Sequence, residues 1–164
     1  MKKNLFILAI LAVFSTVFIT SCGDDEDQYA CSVDEYVGVY NGSHSLKITT
    51  PISLDVPISD KITIAASGTS DVDVTSQTLG ATFTGTISDC DIKVSNAHID
   101  SFQTTVSGIT AIVRDVTADL TVKKNITKST VYTTIHVTSG TAEIAGNTVD
   151  LGADGGSTLS GTFK

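Results

Sequence analysis

From Tyr36 onward, runs in which apolar side chains recur at every second position appear repeatedly. The clearest run is Val116, Ala118, Leu120 and Val122, separated by Thr117, Asp119, Thr121 and Lys123. Val131, Thr133, Ile135 and Val137 are likewise set against Tyr132, Thr134, His136 and Thr138. A strand throws successive side chains to opposite faces, so a two-residue period means one buried face and one wet face. A helix needs an apolar stripe at helical spacing, and none of useful length occurs. Composition agrees: Thr, Val, Ile and Ser dominate, and after residue 21 the only glutamates are Glu26, Glu35 and Glu143. β-Branched residues fit a pleated surface and lose side-chain freedom in a helix.

Turn residues divide this pattern. Asn41-Gly42 reads as a turn or a break between two strands. Leu46 to Ile58 reads as one alternating run whose Pro51 and Pro57 place it at a sheet edge or a bulge, because proline cannot donate to a ladder. Ser67–Ser70, Gly80, Asp89, Ser107-Gly108, Asn125, Ser139-Gly140, Gly146-Asn147 and Asp154–Gly156 read as further breaks. The phase of Cys90, Ile92 and Val94 turns Cys90 inward. Residues 36–164 therefore predict an all-β domain, a single antiparallel β-barrel or β-sandwich of about 8–10 strands. Its opening Tyr36–Gly42 and closing Leu159–Phe163 are similar to the first and last strands of calycin-like (lipocalin-like) barrels. That resemblance implies a site for a small apolar ligand, or for an unknown one.

The N-terminus carries an address. Lys2 and Lys3 precede an apolar run from Leu5 to Ile19, about 15 residues long. A membrane span needs roughly 20, so the run reads as an export signal over residues 1–21. Ile19-Thr20-Ser21-Cys22 resembles the lipobox of bacterial lipoproteins, which usually has Leu where Ile19 stands. The resemblance implies a diacylglyceryl group on the Cys22 thiol. Several acyl chains anchor a protein stably where one does not. Gly23–Asp27 is similar to the acidic export tag of surface lipoproteins of Bacteroidota, and also reads as a plain solvated charge run. The expectation is an outer-membrane, lipid-anchored protein facing the cell exterior. Residues 22–35, polar and acidic, are expected to be its tether.

Loss of residues 1–21 from the 164 leaves 143, enough for one domain with a core. It also leaves 8 basic residues against 18 acidic ones, a formal charge of −10. Phosphate contacts need Lys and Arg, and Arg114 is the one arginine, so nucleic acid is excluded as a partner. With Cys22 acylated, Cys31 and Cys90 remain, either as a disulfide or as two buried thiols.

Nothing in the chain spells out catalysis. His44, His98 and His136 are the three histidines, and none stands in a Gly-x-Ser-x-Gly, His-Glu-x-x-His or Cys-x-x-Cys setting. His136 reads as an exposed strand residue. Asp71-x-Asp73 and Asp89-x-Asp91 lack the spacing of a calcium loop. Tyr36, Tyr40 and Tyr132 form either a small platform or packing. The sequence thus predicts no enzyme, no cofactor and no metal. Two readings stand: a barrel or cleft holding a small apolar ligand or a partner, and a structural or adhesive subunit with a filled core. An apolar interior pocket favours the first, and a solid interior the second.

Overall fold

A computed structural model describes residues 27–48, 54–106, 108–153 and 157–164. The export signal over 1–21 and the candidate acylation site Cys22 lie outside the described residues. A short helix α1 (Val33–Tyr36) precedes nine strands. These are β1 (Gly38–Ile48), β2 (Leu54–Ala66), β3 (Asp71–Ser76), β4 (Ala81–Ser88), β5 (Asp91–Val106), β6 (Ile109–Asn125), β7 (Thr130–Ile144), β8 (Asn147–Asp150) and β9 (Thr158–Phe163).

Strands β1 to β7 form a consecutive antiparallel meander, and β9 closes it. One edge of β9 pairs with β7, from Val131↔Phe163 to His136↔Thr158. Its other edge pairs with β1, from Gly42↔Phe163 to Lys47↔Thr158. The result is a closed eight-strand barrel with β8 as an extra strand on β7. Of the two architectures the alternation allowed, the barrel is the one formed, and it is compatible with a calycin-like fold.

The alternation is read out as expected along most strands. Val116, Ala118, Leu120 and Val122 are buried, and so are Val131, Thr133, Ile135 and Val137, while Tyr132, Thr134, His136 and Thr138 face water. Eight strands make an interior just wide enough for side chains to fill. Here they fill it: the interior cavity lined by Leu46, Phe102, Val113 and Leu159 measures about 10 Å³.

Several expected breaks are not breaks. Asn41-Gly42 lies within the continuous strand β1. Gly42 is needed there because a Cβ would meet Thr162 O and the Phe163 ring. Ser139-Gly140 lies within β7, where Gly140 adopts φ +143° at a bulge opposite Val116. Conversely, the run from Leu46 to Ile58 is two strands, paired through Ile48↔Leu54. Pro57 does sit at a local edge, because β3 pairs with β2 only from Ile62 to Ala66.

The strands are unequal in length, and that shapes the molecule. β3 and β4 have 6 and 8 residues, whereas β5, β6 and β7 have 16, 17 and 15. At about 3.3 Å per residue the β5–β6 hairpin runs for roughly 50 Å. Its far half, joined by the far half of β7 and by β8, extends beyond the short strands.

The near end is latched by the N-terminal segment. Tyr29 bridges to Asn125, Ala30 N–H donates to Lys124 O at 2.8 Å, and Ile126 N–H donates to Gln28 O at 2.7 Å. Tyr36 is fully buried, and its hydroxyl donates to Cys90 O at 2.8 Å. Burial pushes this phenol up to about 12, so it remains a protonated donor. Cys31 is disulfide-bonded to Cys90 across 59 positions. The segment expected to be free tether as far as residue 35 is thus docked from residue 27 onward. Cys90 itself is not on an inward strand face. It occupies the two-residue β4–β5 turn, with Asp89 at φ 54° and Cys90 at φ 61°, the paired positive φ of a hairpin turn.

Cross-linking a loop of this size stabilises by about 4 kcal/mol through the unfolded state. The Cys31→Ser/Cys90→Ser pair is expected to lose about that much in urea unfolding. Equal midpoints for the oxidised and reduced native chain would contradict the latch.

Candidate functional site

Among the described residues, a cluster of polar side chains lies on the inward face of the barrel. On β2, Ile58, Ile62 and Ile64 face inward, and the same two-residue phase carries Asp60 inward with them. On β1 the phase that buries Tyr40 and Leu46 buries His44. Thr133 on β7 and Ser76 at the end of β3 complete the group.

Asp60 is the hub. Its Oδ2 accepts from Ser76 Oγ at 2.5 Å and lies 3.0 Å from His44 Nε2. Its Oδ1 accepts from the backbone N–H of Lys61 at 2.7 Å and of Thr78 at 2.9 Å. Ser76 Oγ in turn accepts from Leu79 N–H at 3.0 Å, so the carboxylate also organises the β3–β4 connection. Burial alone would raise this carboxyl, but the four donors outweigh it and bring Asp60 down to about 2. His44 places Nδ1 3.3 Å from Thr133 Oγ1, and its ring stands edge-on to Phe163. Gly161 leaves the room for this. A Cβ there would meet Thr133 Oγ1, and would come within 2.5 Å of Phe163 Cε2 and 2.7 Å of His44 Nδ1.

Thr133, His44 and Asp60 therefore share the connectivity of a hydroxyl, a base and an orienting acid. Access decides what that can do. His44 is 2% exposed and Thr133 3%, and nucleophilic attack needs a substrate atom about 3 Å from the hydroxyl. With the barrel packed around them, these groups have no such space. The arrangement holds a carboxylate in its charged form inside the core and fixes the side chains around it.

The remaining sequence candidates are dispersed. His98 and His136 are exposed on outer faces, and His98 pairs with Asp100 at 3.1 Å, so the three histidines do not converge. Asp71 and Asp73 accept from Thr86 and Thr84 at 2.7 Å across the β3–β4 pair. Asp89 binds Lys93, and Asp91 binds Lys123. No group of three potential metal ligands occurs among the described residues. Of the tyrosines weighed as a platform, Tyr36 and Tyr40 are core and Tyr132 alone is exposed. The Asp60–His44 pair was the feature the sequence reading passed over. Its signal was an acid and a histidine standing in apolar phase on adjacent runs.

On the outer surface, the tips of the β5–β6 and β7–β8 hairpins frame an open groove of about 340 Å³. Gly108, Ile109, Thr110, Ile112, Glu143 and Ala145 line it. Ile109 is 49% exposed. Comparison with known proteins finds no matching family model, no matching curated protein and no matching solved structure.

The Asp60 carboxyl lies below its ordinary value, so it contributes stability above about pH 4 that is lost as pH falls through about 2. That contribution is about 2 kcal/mol. Asp60→Asn is expected to unfold at lower denaturant at pH 7, by roughly 2–4 kcal/mol, since it also strands buried donors. The gap to the native chain should narrow at pH 2. A variant as stable as the native chain at pH 7, or a gap that ignores pH, would contradict the network's role.

Proposed function

We propose that the chain is a lipid-anchored, surface-exposed, non-catalytic accessory protein that engages a partner through its outer surface at the end far from Cys22. The observation that carries this reading is the filled interior. A cavity of about 10 Å³ holds no apolar ligand, whereas ordinary ligand sites measure roughly 300–1,000 Å³. Of the two readings open to the sequence, the structural or adhesive subunit with a filled core is favoured over an internal carrier. The barrel then serves as a rigid spacer, and its useful chemistry lies outside.

The hairpin-tip groove supports a partner over a free small molecule. At about 340 Å³ it is large enough for an apolar side chain, beside the surface pair of Glu143 with Arg114 at 3.9 Å. It is open to water, so it suits a side chain held by a larger surface. Anchorage rests on the Ile19–Cys22 resemblance, with the acidic run after Cys22 supporting display outside the outer membrane.

The anchor is tested by feeding cells an alkyne fatty acid. Native chain should carry the label and Cys22→Ser should not; label persisting in Cys22→Ser would count against acylation there. For the working surface, a photo-crosslinking residue at Ile109 on intact cells is expected to trap a protein partner, with Ile112→Asp reducing the yield severalfold. Adducts unaffected by Ile112→Asp would argue against the groove.

A further inference from the structure

Among the described residues, six large apolar side chains are conspicuously exposed: Tyr29, Val37, Val39, Ile109, Ile126 and Tyr132. Five of them sit at one end of the barrel. Tyr29 is bridged to Asn125, Ile126 follows directly and is hydrogen-bonded back to Gln28, and Tyr132 lies on β7 opposite Lys123. Val37 and Val39 enter β1 at the same end, where β9 finishes and Lys164 pairs with Asn41. Only Ile109 is at the hairpin tips. The Lys128 ammonium binds Asp27 at 2.9 Å and lies within electrostatic range of the Tyr29 and Tyr132 phenols. Phenols and lysines around aliphatic side chains are the mixture that suits a membrane–water interface.

Chain length brings that end to a membrane. From Cys22 to the first docked residue, Asp27, there are five peptide steps, which span at most about 18 Å. A domain held by acyl chains on Cys22 therefore keeps this end within a headgroup layer's reach of the bilayer.

We propose that the near end is a membrane seat, in which Tyr29, Ile126 and Tyr132 bed into the headgroup layer of the bilayer that holds the Cys22 acyl chains. This rests on the anchor reading and goes beyond it: the barrel stands in one orientation instead of tumbling, with the hairpin tips outward.

The test uses the full mature chain tethered through Cys22, by its own acyl chains or by coupling to a maleimide lipid. The vesicles are phosphatidylcholine with some phosphatidylglycerol and a headgroup-nitroxide lipid. A fluorescent amino acid is placed at Thr127 or, at the far end, at Ala145. Quenching at Thr127 should exceed that at Ala145 by about threefold or more, as interfacial seating requires. Replacing Tyr29, Ile126 and Tyr132 together by Ser should lower the ratio by about twofold or more, towards the value the tether alone imposes on a tumbling barrel, with the unfolding midpoint unchanged and the chain still vesicle-bound. Equal quenching at both positions in the native chain would overturn the seat. So would a ratio that ignores the triple substitution, or a face that instead mediates self-association on the vesicle. Because the maleimide coupling bypasses cellular acylation, a failure of the fatty-acid label at Cys22 would be seen separately.

Discussion

The structure depends on six residues near the C-terminus, Thr158–Phe163, pairing on both edges. Without β9, β1 and β7 would each present a bare ladder of N–H and C=O groups, a template for aggregation. With it, the sheet closes on itself, and unpaired edge remains only locally, where β2 and β5 run past the short β3 and β4. Gly42 and Gly161 make that closure geometrically possible, since each leaves the space Phe163 occupies. Phe163 is fully buried, so the last strand is held by a core anchor as well as by its ladder.

Closure around eight strands leaves an interior that side chains fill, and one of them is a carboxylate. Burying a charge is costly unless it is well hydrogen-bonded. Asp60 has four donors, and two of them are backbone groups of β2 and the β3–β4 connection. A buried charge satisfied in this way tolerates few alternative registers, because a one-residue slip of β2 would turn Asp60 outward and leave Ser76 and His44 without it. The network therefore ties strand register to core chemistry. Its triad-like connectivity is enclosed within the core, with His44 2% and Thr133 3% exposed.

Most of the fold was legible because a two-residue period is local information. The buried faces of β6 and β7 follow directly from Val116–Val122 and Val131–Val137. What failed was punctuation. Glycine marks a turn in one context and a close approach in another, and Gly42 and Gly140 are of the second kind: what crowds them is residues far away in sequence. Cys90 was misplaced for the converse reason, since its positive φ in a tight turn breaks the phase of Ile92 and Val94. Counting left Cys31 and Cys90 as the remaining two cysteines, bonded or as buried thiols, and the structure shows them bonded. The inward turn of Asp60 was present in the phase of Ile58, Ile62 and Ile64, but an acid among apolar positions reads as surface until its partners are known. The hairpin-tip groove was not legible, because it arises from unequal strand lengths on either side of the barrel.

The two ends of the molecule have different characters: one latched by the disulfide-bonded N-terminal segment and aromatic, the other long-stranded and grooved. The proposed role uses this polarity, with the solid barrel as the spacer between them. The central claim is that nothing is carried inside. Native mass spectrometry of the Cys22→Ser chain, purified from its own membrane-rich source without reduction, tests it most directly. The account predicts the mass of the bare polypeptide with one disulfide. An apolar molecule retained at stoichiometric occupancy and released only on unfolding would contradict it.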